Sequence, residues 1–211
     1  MRLRLGLGLA LAAAFALSFG IYARGGEGAE EAQQAFDAAH SDMTYEDTAS
    51  FQAFALYAMG ESFEGLGLTS ITRRDDPSSA FEPVRADYVG FIYGDCAIAE
   101  GEEACAPPLE VQVWPACIRN LSTYQLTPTP GSELPHEDVV VRGAPGAVFE
   151  DGYRLELYTG EETVVIFGDE EAQLFRAAEE LASVNGGGIG PGDPLPVPAA
   201  QALEGGLACD A

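Results

Sequence analysis

The spacing of apolar and polar positions divides the chain into three stretches. Residues Leu5 to Ala23 form an uncharged, largely apolar run, and nineteen residues at helical rise reach about 28 Å, enough to cross the hydrocarbon of a bilayer. From Gly25 to about Ser50, Ala, Glu, Gln and Asp dominate and large apolar residues are few, which suits a solvated stalk. From Phe51 onward a period of two appears. Leu109, Val111 and Val113 alternate with Glu110, Gln112 and Trp114, the pattern of a strand with one face in a core. Tyr153 to Tyr158 alternates likewise. Thr163 to Phe167 follows across Thr159-Gly160-Glu161-Glu162, which predicts a hairpin with a loop of four residues. Further strands are expected over Asp87–Tyr93 and Val139–Arg142, with weaker ones over Phe54–Tyr57 and Leu66–Thr72.

The period changes once. Leu174, Ala177, Ala178, Leu181 and Val184 make an apolar stripe at helical spacing, Asp169 is placed to cap it, and Glu170 and Glu171 complement the positive end of its dipole. With Asn185-Gly186 as a stop, the pattern predicts a helix over about 169–185. A shorter helix is expected after Pro115, from Ala116 to Leu121. The Gly- and Pro-rich stretch beyond Gly186 is expected to lie extended over the surface. Strands joined by hairpins and followed by one helix predict an α+β fold: a mainly antiparallel sheet carrying the 169–185 helix, preceded by an N-terminal transmembrane or signal helix. The expected organisation is a signal anchor or signal peptide over 1–24, an acidic stalk over 25–50 and one disulfide-bonded domain over 51–211.

Charge adds a compartment to this outline. Arg2 and Arg4 stand before the apolar run and only Arg24 follows closely, so the amino terminus is expected in the cytoplasm and the rest outside. The run exceeds the core of an ordinary signal peptide, which favours an anchor, while the small residues of Ala23-Arg24-Gly25 keep cleavage and secretion as the alternative. The 10 basic residues are all arginine against 34 acids, for a net charge of −24. Without lysine, Schiff-base and P-loop chemistry are excluded, and so large a negative field disfavours nucleic acid. Cys96, Cys105, Cys117 and Cys209 are even in number, lack Cys-x-x-Cys spacing and fall in the exported part, which predicts two disulfides. Of three connectivities, Cys96–Cys105 with Cys117–Cys209 is favoured, the second tying down the tail.

Candidate chemistry is sparse. His40 falls in the stalk and His136 in the polar loop Ser132–Asp138, where solvated side chains are expected rather than a catalytic base. No Gly-x-Ser-x-Gly or Gly-x-Gly-x-x-Gly occurs. Glu161-Glu162 and Glu170-Glu171 read as loop and helix-start residues. Glu100-Gly101-Glu102-Glu103 is the best divalent-cation candidate, with a solvated loop the simpler expectation. No catalytic, cofactor-binding or metal-ligating residue is therefore assigned. Trp114 points away from its neighbouring valines and lines either a second core or an exposed ligand cleft.

Tyr57-x-x-Gly60, Tyr93-Gly94-Asp95-Cys96, the string Pro108 to Cys117 that ends Trp-Pro-Ala-Cys, Arg142-Gly143-x-Pro145 and the Leu-Pro-Val-Pro tail resemble a family of exported or membrane-anchored proteins of high-GC Gram-positive bacteria. The resemblance implies a tethered or secreted domain and brings no known activity. The resulting expectation is a non-enzymatic, membrane-anchored extracytoplasmic domain that binds a protein or small molecule or has a structural role, without a cofactor. A secreted carboxylate-dependent hydrolase and an acidic cation-responsive module are the alternatives.

Overall fold

The computed structural model describes residues 40–76, 86–95, 106–119, 136–149, 152–203 and 207–209. The predicted anchor, most of the stalk, Cys96, Cys105 and the loop between them lie outside the described residues. No helix among the described residues is long and apolar enough to cross a membrane. The compact unit runs from Ser41 to Ala211.

Its chain order is β1 (His40–Asp42), α1 (Tyr45–Ser50), β2 (Tyr57–Ala58), β3 (Ser62–Phe63), β4 (Leu66–Asp76), β5 (Ala86–Tyr93), β6 (Leu109–Pro115), β7 (His136–Val141), β8 (Ala144–Phe149), β9 (Arg154–Thr159), β10 (Glu162–Gly168), α2 (Glu171–Glu180), β11 (Ala182–Ser183) and α3 (Ala200–Leu203). Among the described residues nine strands form one sheet in the order β1-β4-β5-β6-β10-β9-β8-β7, with β3 paired to β4. Two meanders are joined in it: β4-β5-β6, and β7-β8-β9-β10 returning so that β10 lies antiparallel beside β6. The α+β reading with a mainly antiparallel sheet holds.

Period-two alternation sorts the strands onto two faces. Val89, Phe91, Val111, Val113, Leu155, Leu157, Val164 and Ile166 are buried in the core on one side. There α2 lays Leu174, Ala177 and Ala178 against them, with Leu181 just beyond its end. The opposite face carries Tyr88, Gln112, Trp114, Thr163, Arg154, Glu156 and Tyr158.

Several elements differ from the sequence pattern. The helix is Glu171–Glu180, shorter at both ends than 169–185. Asp169 does not cap it, since Glu170 is the N-cap and makes no side-chain capping bond. At the far end Leu181 turns to ψ 131°, and Ala182–Ser183 pairs with Tyr57–Ala58 instead of continuing the helix. The β9–β10 loop is two residues, Gly160 and Glu161, because Thr159 and Glu162 already face each other in the ladder; Gly160 at φ 59° supplies the first position of a type II′ turn. After Pro115 the chain makes a turn, with the Ile118 and Arg119 N–H groups both donating to the Pro115 carbonyl, where a short helix was expected. β8 has no counterpart in the predicted strands. The compact unit also takes in Ser41–Ser50: Thr44 and Asp47 form a reciprocal capping box for α1, and the Thr44 hydroxyl and then its N–H, both donating to Asp47 Oδ2, hold that carboxyl below its ordinary range.

Candidate functional site

Two constellations gather the ionisable side chains, one on each side of the sheet. The first lies at one end of the core face, where the last residues of β4, the start of β5, the end of β6 and the start of β10 converge. Asp75 and Asp87 stand directly opposite in the β4–β5 ladder, a like-charge pairing. Arg73 sits between them, with Nη2 3.2 Å from Asp75 and 3.4 Å from Asp87, and its guanidinium lies 5.4 Å from the Phe51 ring. Glu162 shares a face with Val164 and Ile166, so it enters the core side although it begins a strand. It is 9% exposed. Its Oε1 accepts the Ala55 N–H at 3.0 Å and its Oε2 the Glu161 N–H at 3.3 Å. Burial pushes the carboxyl up and those N–H groups hold the shift back.

The disulfide completes this site. Cys117 and Cys209 are bonded with Cα atoms 5.3 Å apart, which brings Leu207–Cys209 back across the molecule as a wall. The resulting half-open cleft of about 350 Å³ combines apolar Phe54, Ile118 and Leu207 with four ionisable side chains, Arg73, Asp87, Glu161 and Glu162. Hollows of similar volume beside Met43 and beside Met59 are lined by no buried ionisable group. That difference makes the disulfide cleft the candidate site.

The second constellation crosses the opposite face as a ladder. Tyr88 stacks on Trp114 at 4.3 Å, and the Arg119 guanidinium lies 5.1 Å from the indole. Arg119 Nη2 donates to Glu156 Oε1 at 2.6 Å, and Arg154 pairs with the same oxygen at 3.3 Å. Arg154 in turn sits 4.6 Å over Phe149, against which His136 is tilted at 5.3 Å. Along β6, Trp114 Nε1 donates to Gln112 at 3.0 Å and Gln112 Nε2 to Glu110 at 2.8 Å. Arg154 and Glu156 are both almost fully buried. Burial, and next the Glu156 carboxylate, push the Tyr158 hydroxyl far up.

Trp114 therefore stands half-buried in the ladder, between Tyr88 and Arg119, and does not line the disulfide cleft. The Cys117–Cys209 pairing is present as expected. His136 opens β7, 3.5 Å from Asp138. Among the described residues no group of three His, Cys, Asp or Glu side chains is placed to hold a metal ion. Glu162, Asp87 and Arg73 were not singled out by the sequence. For Glu162 a signal existed, since its parity matches Val164 and Ile166, but the expected four-residue loop placed it outside the strand.

Comparison with family models, curated proteins and solved structures returned no match.

Proposed function

We propose that the chain is an exported binding domain, tethered to the membrane by residues 1–24, that holds a protein or small-molecule partner in the cleft beside Cys117–Cys209. The observation that carries this reading is a covalently walled cleft in which two buried acids and an arginine share space with apolar side chains. Such a mixture gives a ligand both area to bury and groups that fix its orientation. The apolar run after Arg2 and Arg4, the disulfide and the resemblance to exported proteins of high-GC Gram-positive bacteria support the location. The excess of acid supports a partner other than nucleic acid. One observation favours a second reading, a carboxylate-dependent hydrolase: Glu162 is biased toward its protonated form in the same cleft as Asp87, as a general acid needs.

Full-length protein made in a Gram-positive host is expected in salt-washed membranes, with its disulfide domain digested by protease added outside the cells. Recovery in the cytosol overturns the location, and recovery from the medium replaces the tether with secretion. Turnover of any glycoside or ester that disappears in Glu162→Gln replaces binding with hydrolysis.

A further inference from the structure

We infer that the outer edge of β7 is a docking site for an extended segment of a partner polypeptide, which adds the next strand to the sheet and carries two β-branched residues followed by two basic ones. This surface is separate from the disulfide cleft, since β9 and β8 lie between β10 and β7. Among the described residues the sheet ends on β1, of three residues, and on β7, of six. The two-residue turn at Arg142 and Gly143 fixes which groups of β7 face outward. Val141 and Ala144 flank that turn as a hydrogen-bonded pair, so Val141, Val139 and Glu137 exchange bonds with β8. Asp138 and Val140 therefore turn their N–H and C=O groups away from β8, and no described backbone group bonds to either of them. Both residues are exposed, and Val140 is 73% exposed although its side chain is apolar. Just past the strand the Arg142 carbonyl accepts the Leu195 N–H at 2.9 Å, so the chain's own extended segment closes the edge there and leaves it open alongside Asp138 and Val140. Edge strands are commonly blunted by lysine, proline or a bulge; β7 has no lysine or proline, and its register with β8 is unbroken.

The side chains of this edge state what the added strand must carry. Asp138 and Val140 stand on the face of Arg154 and Glu156, while Glu137 and Val139 stand on the core face, where Val139 packs against the core yet is only partly covered. From β4 to β7 every neighbouring pair is antiparallel, and a segment added in the same sense sets one residue opposite each of these four. Opposite Val140 and then Val139, β-branched residues extend the apolar contact on both faces; opposite Asp138 and then Glu137, basic residues complement the acids. Glu137 has no ion-pair partner among the described residues. Asp138 has His136 at 3.5 Å, but its carboxyl side chain is 85% exposed and open to a second cation. The same charges disfavour a second copy of this chain, which would bring Glu137 and Asp138 close to their own counterparts in molecules of net −24.

The test uses full-length protein in detergent and the fluorescein-labelled peptide Thr-Val-Val-Arg-Arg-Thr, read by fluorescence anisotropy. N-methylation of the second and fourth residues removes the two N–H groups aimed at Val140 and Asp138 and is expected to weaken binding at least about tenfold. N-methylation of the third and fifth, whose N–H groups point away, should leave it within about threefold. Val140→Pro removes an outward N–H without breaking a bond to β8, and should abolish binding. Asp138→Arg should weaken binding severalfold and regain it with a peptide carrying glutamate as its fourth residue. Equal binding of the two N-methylated peptides overturns strand addition in favour of charge attraction alone, and so does binding that survives in a folded Val140→Pro protein. Should that variant not fold, the peptide pair and the charge exchange still decide. No binding at about 1 mM peptide overturns the inference, as does a dimer seen by sedimentation that Val140→Pro disperses, which would give the edge to a second copy.

Discussion

Arg142 holds together segments that are far apart in sequence. With φ 52° it opens the two-residue β7–β8 turn, followed by Gly143 at φ 84°, so both central residues take the left-handed conformation of a type I′ turn. This aims the guanidinium at the end of α2. Nη1 donates to the carbonyls of Ala178, Glu179 and Leu181, Nη2 to Gly190 and Nε to Asp193. One side chain thus satisfies orphan carbonyls at a helix C-terminus and pins the glycine-rich stretch that follows. Lysine keeps the charge but presents its donors from one atom, so it cannot serve three directions at this spread. Arg142→Lys is expected to cost about 2–3 kcal/mol, read as a lower urea midpoint at unchanged slope; a loss under about 0.5 kcal/mol would show that water replaces those contacts. In the sequence this arginine is only the end of a valine run before glycine. A strand was legible there, but Val139–Arg142 ran one residue into what is the turn, and partners 36 to 51 residues downstream leave no local trace.

At the scale of elements, legibility followed how much of each pattern was local. β6 and β9 alternate because each has one face in the core and one on the ladder, and their places were read from that alternation, whereas β10 is an apolar run placed as the second strand of the hairpin with β9. β8 was missed because Ala144-Pro145-Gly146-Ala147 has the composition of a turn, and its strand conformation comes from pairing with β7 and β9. The end of α2 was misplaced for a similar reason: Asn185 looks like a stop signal but works as a clip. Its amide donates to the Phe51 and Phe54 carbonyls at 2.9 and 2.7 Å, and its oxygen accepts the Leu56 N–H at 2.8 Å. Those partners require the chain to leave the helix at Leu181. Gly146 tests the account of β8. A Cβ there overlaps the Glu156 carbonyl and comes within 2.8 Å of Leu157 Cδ2. Gly146→Ala should cost about 1–3 kcal/mol. Gly67→Ala, on β4 with open space around the new methyl and no positive φ, should stay within about 0.5 kcal/mol. Equal effects would mean that strand propensity, rather than this close approach, governs both positions.

For the whole molecule, the acidic excess and the single described disulfide act through different physics and can be separated. Mutual repulsion at a net −24 favours expansion and is screened by salt, so thermal stability should rise with ionic strength. Cys117 and Cys209, 92 residues apart, close a loop whose constraint on the unfolded chain is worth about 4.5 kcal/mol in the chain-entropy model. That quantity depends on loop length and not on salt. A Cys117→Ala/Cys209→Ala variant should therefore lose about 4 kcal/mol in urea unfolding, by nearly the same amount in about 50 and about 500 mM NaCl, while both proteins gain stability over that range. A deficit that shrinks markedly at high salt would mean that the bond works mainly by holding an acidic tail against the repulsion of the domain. The tail wall of the cleft would then be held against electrostatic strain, and its position would vary with ionic strength even in the intact protein.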